Sequence, residues 1–228
     1  MKRYRDLLFA NRDKLVQIVR LEAGSSIGAA YRAQVDRALS GMDDVLACFP
    51  SVTWEENRGR RNEMGIDTDR VVVHEPLGVV GAISPWNVPL YVNVGKVIPA
   101  LLAGCTVVLK PAPDTPVTAA FMGELALEAG FPAGVFNVVS SADPVMAGET
   151  LVTDPRVDVI SFTGSTGVGK RIMEKGAATL KRVFLELGGK SANIILDDAP
   201  DFAMSVMQSI VIFHAGQGCA IPTRLFVP

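Results

Sequence analysis

From Val71 onward the sequence repeats one pattern: a short apolar run, a polar motif, then a segment with helical spacing. "RVVVHEPLGVVGAIS" reads as one or two strands before the proline-punctuated "PWNVP", and "YVNVGKVIPALLAG" reads as a helix ending at Gly104. "CTVVLK" is a fully apolar strand. Thr115 and Pro116 then predict a helix start, a hydroxyl N-cap followed by proline at the first helical position, with the helix running to about Ala129 and stopping at Gly130. The alternation continues with the strand "VFNVV", a helix near Pro144 to Val152, the strand "DVISF", a helix from about Val168 to Ala178 and the strand "RVFLEL". Alternation at this interval predicts crossover units on a parallel sheet, hence an α/β fold of the doubly wound, Rossmann-like class. Ligands on such sheets bind beyond the carboxyl ends of the strands. The polar motifs fall there: "PWN" after "VVGAIS", "KPAP" after "TVVL", "TGS" after "VISF", and Glu186 closing "RVFLE".

The first 70 residues differ in kind. Leu7, Leu8, Leu15, Ile18 and Val19 share one side of a helix predicted over Arg3 to Glu22, and a second helix is expected over Ile27 to Ala47. "SVTWEENRGRRNEMGIDTDR" is polar and loop-like, with room for a short hairpin arm. The expected organisation is therefore 1–70 as helices and arm packing on the next unit, 71–187 as the doubly wound α/β domain, and 188–228 as the start of a further domain.

Composition removes several classes of function. With 49% apolar residues in 228 the chain can build a real core. A net charge of -2 gives no electrostatic reason to expect nucleic acid, and "NRGRR" reads as a solvated loop. Cys48, Cys105 and Cys219 are odd in number and far apart, and His74 and His214 are the only histidines, so neither a metal cluster nor a disulfide framework is expected. That cysteine usage and the absence of an apolar leader in "MKRYRDLLFANRDKL" point to a cytoplasmic setting. Residues 77–95 carry no charge over a span-like length, but Pro85, Asn87, Pro89 and Asn93 interrupt them, so no membrane segment is expected.

"SFTGSTGVGKRI" contains G-x-x-x-x-G-K, the spacing of a triphosphate loop, with Lys170 in the lysine position. Arg171 stands where such a loop needs a hydroxyl for Mg²⁺, and no apolar strand ends in a convincing acidic metal ligand. A glycine turn before a helix N-terminus can still approach a ligand closely. Cys219 in "HAGQGCAIPTR" sits in an irregular, glycine-flanked setting unlike the smooth apolar runs around Cys48 and Cys105. Glu186 is a lone carboxylate closing an apolar strand before two glycines, and Asn87 offers an amide at a rigid, proline-flanked turn, as an oxyanion site requires.

Six stretches in order, "SPWNVPL", "VVLKPAPDTP", "GFPAGVFNVV", "SFTGSTGVGKRI", "LELGGKSANIIL" and "GQGCAIPTRLFV", resemble the NAD(P)-dependent aldehyde dehydrogenase superfamily. The resemblance implies oxidation of an aldehyde to a carboxylic acid. Cys219 is implied as the nucleophile, Asn87 with the Cys219 backbone N–H as the oxyanion hole, and Glu186 as the general base that activates water. It implies Lys110 at the adenosine ribose, Gly164 and Ser165 along the pyrophosphate, and Ile83, Pro85 and Trp86 at the nicotinamide end. Ser84, Pro113, Leu187 and Gly188 complete the implied cofactor-binding set, and no metal is implied. Many NAD-preferring members carry Glu three residues after the lysine, where it repels a 2′-phosphate. Pro113 stands there instead, so NAD is favoured over NADP only by a narrow margin. Members of the superfamily also continue for roughly as long again beyond the cysteine. Two alternatives therefore stand beside the enzyme: a catalytically silent NAD(P)-binding fragment, and one subunit of a split enzyme. The apolar segment "DFAMSVMQSIVIFHAG" adds an expected homo-oligomer, or association with a chain supplying the other half.

Overall fold

The computed structural model describes residues 1–210 and 213–228. Two helices, α1 (Lys2–Ala10) and α2 (Arg12–Ala23), replace the single helix expected over Arg3 to Glu22. The break falls at Asn11, whose side chain and backbone N–H both bond the Leu7 carbonyl, so a local amide takes over where the helix would continue. Tyr4, Leu8, Leu15, Val16 and Val19 are still buried together, and the Tyr4 hydroxyl donates to the Met122 carbonyl at 3.0 Å.

The second helical stretch is one run with three geometries: α3 (Ile27–Ala29), a π-helical segment (Ala30–Asp36) and α4 (Arg37–Cys48). The polar segment that follows is a full antiparallel hairpin, β1 (Glu55–Glu63) with β2 (Ile66–Val73), so strand structure crosses the expected boundary at residue 70. Met64 and Gly65 both take positive φ at its tip, the geometry of a two-residue turn that matches strand twist.

Beyond the hairpin the chain alternates as its pattern predicts: β3 (Val79–Ile83), α5 (Pro89–Leu102), β4 (Thr106–Lys110), α6 (Pro116–Glu128), β5 (Phe136–Val138), α7 (Pro144–Thr153), β6 (Val159–Gly164), α8 (Thr166–Gly176) and β7 (Arg182–Leu187). All five strands β3 to β7 are parallel in the order β5-β4-β3-β6-β7. The chain runs outward from β3 on one side, then returns to start β6 on the other. The carboxyl ends of β3 and β6 therefore splay their following segments apart, which opens a crevice at this switch point. A separate pair of parallel strands, β8 (Ser191–Ile194) and β9 (Pro222–Phe226), encloses α9 (Phe202–Ile210) in sequence. The expected helix through "DFAMSVMQSIVIFHAG" is α9 in its first part; residues 211–212 lie outside the described residues.

Thr115 precedes α6 as expected, but its hydroxyl makes no capping bond and is buried without a partner. The cap comes from a distance. The Glu22 carboxylate at the end of α2 accepts from the Val117 and Thr118 backbone N–H groups and, at 2.5 Å, from the Thr118 hydroxyl. A carboxylate there satisfies orphan donors and meets the positive end of the helix dipole, tying the N-terminal helices to the sheet unit. The helix after β6 begins at Thr166, two residues earlier than expected, because Ser165 caps it by accepting from the Val168 N–H.

Candidate active site

Two cavities open at the carboxyl ends of the strands, one on each side of the Pro85–Asn87 turn. The first, about 390 Å³, is walled by Ile83, Ser84, Pro85 and Trp86 after β3, Lys110 and Pro113 after β4, and Gly164 and Ser165 after β6. Register explains the convergence: Ile83 lies beside both Lys110 and Phe162. Lys110 is buried, its ammonium donates to the Pro111 carbonyl at 3.3 Å, and loss of solvent lowers its pKa. The Ser84 hydroxyl is buried with no partner among the described residues. A Cβ at Gly164 would come within 2.5 Å of the tip of the Phe162 ring, so any larger residue here must displace that ring. Leu187 and Gly188 fall outside this wall. Leu187 packs beneath Gly169 of α8, and the Gly188 N–H bonds the Gly164 carbonyl.

The second cavity, about 600 Å³, brings Asn87, Glu186 and Cys219 together from positions far apart in the chain. Strand β7 turns Val183, Leu185 and Leu187 toward α8 and leaves Glu186 on the opposite face, as alternation along a strand requires. Cys219 is exposed at the level of the whole residue, yet its sulfur faces the cavity wall. Loss of solvent and then the charge of Glu186 raise the thiol pKa, with a hydrogen bond to that carboxylate in the same direction. A carboxylate in hydrogen-bond contact with a thiol can take its proton. The Asn87 amide points toward the cysteine loop, where its Nδ2 donates to the Gln217 carbonyl at 2.6 Å.

Sequence reasoning missed Lys96. This side chain lines the same cavity and donates to the Ser161 hydroxyl at 3.0 Å. Burial pushes its pKa down to about 8, while the Glu186 charge opposes the shift. The signal was available: Lys96 is the one charge in the apolar run of α5. Lys170, which drew attention to the glycine loop, is exposed on α8, and Arg171 beside it pairs with Glu149 of α7 at 2.5 Å. Among the described residues no group of three or more His, Cys, Asp or Glu side chains is placed to hold a metal ion, and no helix is long and apolar enough to cross a membrane.

The family model described as the aldehyde dehydrogenase family matches residues 1–228. The chain belongs to the aldehyde dehydrogenase family. Its relatives include the mitochondrial succinate-semialdehyde dehydrogenase of Arabidopsis thaliana, 39% identical over the whole chain and 42% of the relative. The NADP(+) succinate-semialdehyde dehydrogenase GabD of Escherichia coli is 38% identical over the whole chain and 46% of its own length. Among solved structures, aldehyde dehydrogenase from Bartonella henselae superposes with a TM-score of 0.89 at 35% identity, covering 99% of the chain and 46% of that structure. Aldehyde dehydrogenase C of Pseudomonas syringae, as a mutant complexed with NAD+ and octanal, gives 0.80 at 39% identity, over 100% of the chain and 45% of that structure. The chain thus spans less than half the length of these aldehyde dehydrogenases.

Proposed function

We propose that the chain carries the nucleophile and the cofactor groove of an enzyme that oxidises an aldehyde to a carboxylic acid with NAD(P). The observation that supports it best is the meeting of Asn87, Glu186 and Cys219 on one cavity, beside a separate groove at the switch point. Glu186 takes the Cys219 proton, and the thiolate adds to the aldehyde carbon to give a thiohemiacetal. The developing oxyanion is held by the Asn87 side-chain amide and the Cys219 backbone N–H. Once that proton has passed to solvent, Glu186 takes another from the water that attacks the thioester and returns it to the departing Cys219 thiolate, releasing acid and free thiol, while Lys96 balances its charge across the cavity.

The groove residues fit a dinucleotide. Among the described residues the buried Ser84 hydroxyl lacks a partner and the Lys110 ammonium bonds a carbonyl but forms no salt bridge, and the α8 N-terminus with its Ser165 cap suits a phosphate. When bound, a nicotinamide dinucleotide supplies hydride acceptance, which converts the thiohemiacetal to a thioester on Cys219. Both nicotinamide cofactors are accommodated in this reading, because Pro113 places no acid beside Lys110, and NAD keeps its narrow preference. The proposed division is 1–70, 71–187 and 188–228, supported by a five-stranded sheet that lies wholly within 79–187, although β2 (Ile66–Val73) runs across the first boundary. A cytoplasmic setting and a homo-oligomer belong to the same proposal.

The second reading, a silent NAD(P)-binding fragment or one subunit of a split enzyme, draws on the Asn87 amide. One of its two N–H donors is committed to the Gln217 carbonyl, which leaves a single donor for an oxyanion and ties the amide's orientation to that loop. One experiment separates the readings: NADH or NADPH formation is followed with a panel of aldehydes for the parent chain and Cys219→Ala. Turnover lost on substitution supports the enzyme. Cofactor binding without turnover in the parent supports the silent fragment or the split subunit, and turnover undiminished in Cys219→Ala removes Cys219 as nucleophile.

A further inference from the structure

The backbone carbonyl of Asn87 is gripped by two side chains from opposite ends of the chain. Gln34 Nε2 donates to it at 2.9 Å, and His214 Nε2 lies 2.6 Å from the same oxygen. A carbonyl only accepts, so His214 carries its proton on Nε2 in this contact. In that tautomer Nδ1 accepts from the Ser25 hydroxyl at 3.4 Å, and the Ser25 oxygen in turn takes the second Gln34 N–H, also at 3.4 Å. Ser25, Gln34 and His214 are all buried. Both donors that reach the Asn87 carbonyl are thus accounted for, although in this tautomer Gln34 Nε2 and His214 Nε2 lie 3.4 Å apart as two donors and Gln34 Oε1 has no partner among the described residues.

Two features show what holding this arrangement costs. Gln34 lies inside the π-helical segment Ala30–Asp36, an uncommon geometry that shifts later side chains around the helix axis. His214 and Ala215 both take positive φ, 52° and 54°, ahead of Gly216 at 82°, a run that L-residues adopt only at a cost. The loop so formed leads to Gln217, which receives the Asn87 side-chain amide, and to Cys219 two residues further on. Asn87 is therefore bonded through its carbonyl to Gln34 and His214, and through its amide to the cysteine loop.

We propose that Gln34 and His214 are positioning residues that lock the Asn87 turn to the Cys219 loop, so that oxyanion donor and nucleophile move as one body. This rests on the roles proposed above for Asn87 and Cys219. Gln34 touches neither substrate nor cofactor in this arrangement; it acts through the Asn87 peptide. Loosening the lock lets Cys219 leave the cavity wall, where loss of solvent and then the charge of Glu186 raise its pKa. The thiolate fraction of Cys219 at a fixed pH then rises.

The three cysteines supply the test within the chain itself, since Cys219 and Cys48 are exposed and Cys105 is buried. Iodoacetamide alkylation is followed cysteine by cysteine by mass spectrometry, between pH 6 and 10, for the parent, Gln34→Leu, His214→Ala and His214→Gln. Amide exchange of segments 84–88 and 213–219 is measured on the same proteins. The expected result in Gln34→Leu and His214→Ala is several-fold faster alkylation of Cys219 near neutral pH and a lower midpoint for its pH profile. Exchange should rise in both segments together, Cys48 should be unchanged, and His214→Gln, which keeps a donor, should return part of the way to the parent. Faster labelling of Cys105 in a variant marks general unfolding, and a parent-like Cys219 profile in the variants that keep Cys105 protected would overturn the lock. So would exchange that rises in only one of the two segments. Aldehyde turnover that survives Cys219→Ala would overturn the catalytic reading and leave the lock standing, so the two failures are distinguishable.

Discussion

The Asn87 side-chain amide donates to the Gln217 carbonyl at 2.6 Å, so the donor proposed for the oxyanion is bonded to the loop that carries the nucleophile. The second N–H of the same amide is left for an oxyanion forming on Cys219, and a bond to a charged acceptor is the stronger kind. Asn87→Ala removes a donor whose full strength is reached only when charge develops. Loss of such a donor costs about 10²–10³ in kcat. The expected outcome in the protein that turns over is a fall of that order in kcat with KM little changed; an unchanged kcat would remove Asn87 from the oxyanion hole.

Lys96 gives a pH dependence of definite sign. Its folded pKa is lowered to about 8 by burial, below the ordinary lysine value of 10.5. The unfolded chain therefore binds more protons between those two values, and stability rises with pH across that window. Below pH 8 the burial penalty on the charged form is present in full. Urea unfolding of the parent and Lys96→Met should show a difference that favours the variant near pH 7 and shrinks as the pH approaches 10. Glu186→Gln removes a charge that supports the protonated amine, so the Lys96 midpoint, read by pH-dependent acylation, should move lower still.

The N-terminus of α6 separates an expectation based on residue type from what tertiary structure does. A Thr before a Pro predicts a side-chain cap, whereas the carboxylate of Glu22 occupies the helix N-terminus and leaves the Thr115 hydroxyl buried and unpaired. Glu22→Ala should lower the unfolding free energy by about 1–2 kcal/mol, as loss of a helix cap does. Thr115→Val should be neutral or stabilising, since it removes an orphan polar group. Chemical denaturation of both variants checks the contrast, and a costly Thr115→Val would restore the local cap.

What was legible in the sequence follows the range of the interactions concerned. Periodicity and turn residues specify local structure, so the alternation from β3 to β7 and the glycine stop at Gly130 could be read directly, and the polar motifs at strand ends placed Ile83, Lys110 and Gly164 around one groove. The break at Asn11 was missed because an apolar face continues on both sides of it, and only the side-chain bond to Leu7 reveals it. The resemblance implies Leu187 among the cofactor-binding residues; alternation along β7 sets its side chain on the face opposite Glu186, under Gly169, which a list of residues does not convey. Gln34 and His214 carry no local signature at all. They meet across 180 residues, and their pairing depends on the π-helical segment and the left-handed loop that aim them.

Pro113 tests how the groove chooses its cofactor. It lines the cavity with Lys110, is exposed, and carries no charge. A carboxylate at this position accepts bonds from ribose hydroxyls but repels a 2′-phosphate, and like charges a few ångströms apart at a protein surface cost about 1 kcal/mol or more. Pro113→Glu should therefore weaken NADP binding by about tenfold, the factor that 1.4 kcal/mol represents, while NAD binding is kept or improved. The new carboxylate also lines the groove with Lys110, whose ammonium is hydrogen-bonded to the Pro111 carbonyl, so the substitution does not strand a charge. Fluorescence titration of the parent and the variant with both cofactors measures the ratio directly. A ratio that stays the same would place the 2′ position away from Pro113 and move the search for the selecting residue to Glu149 and Arg171 on the opposite wall.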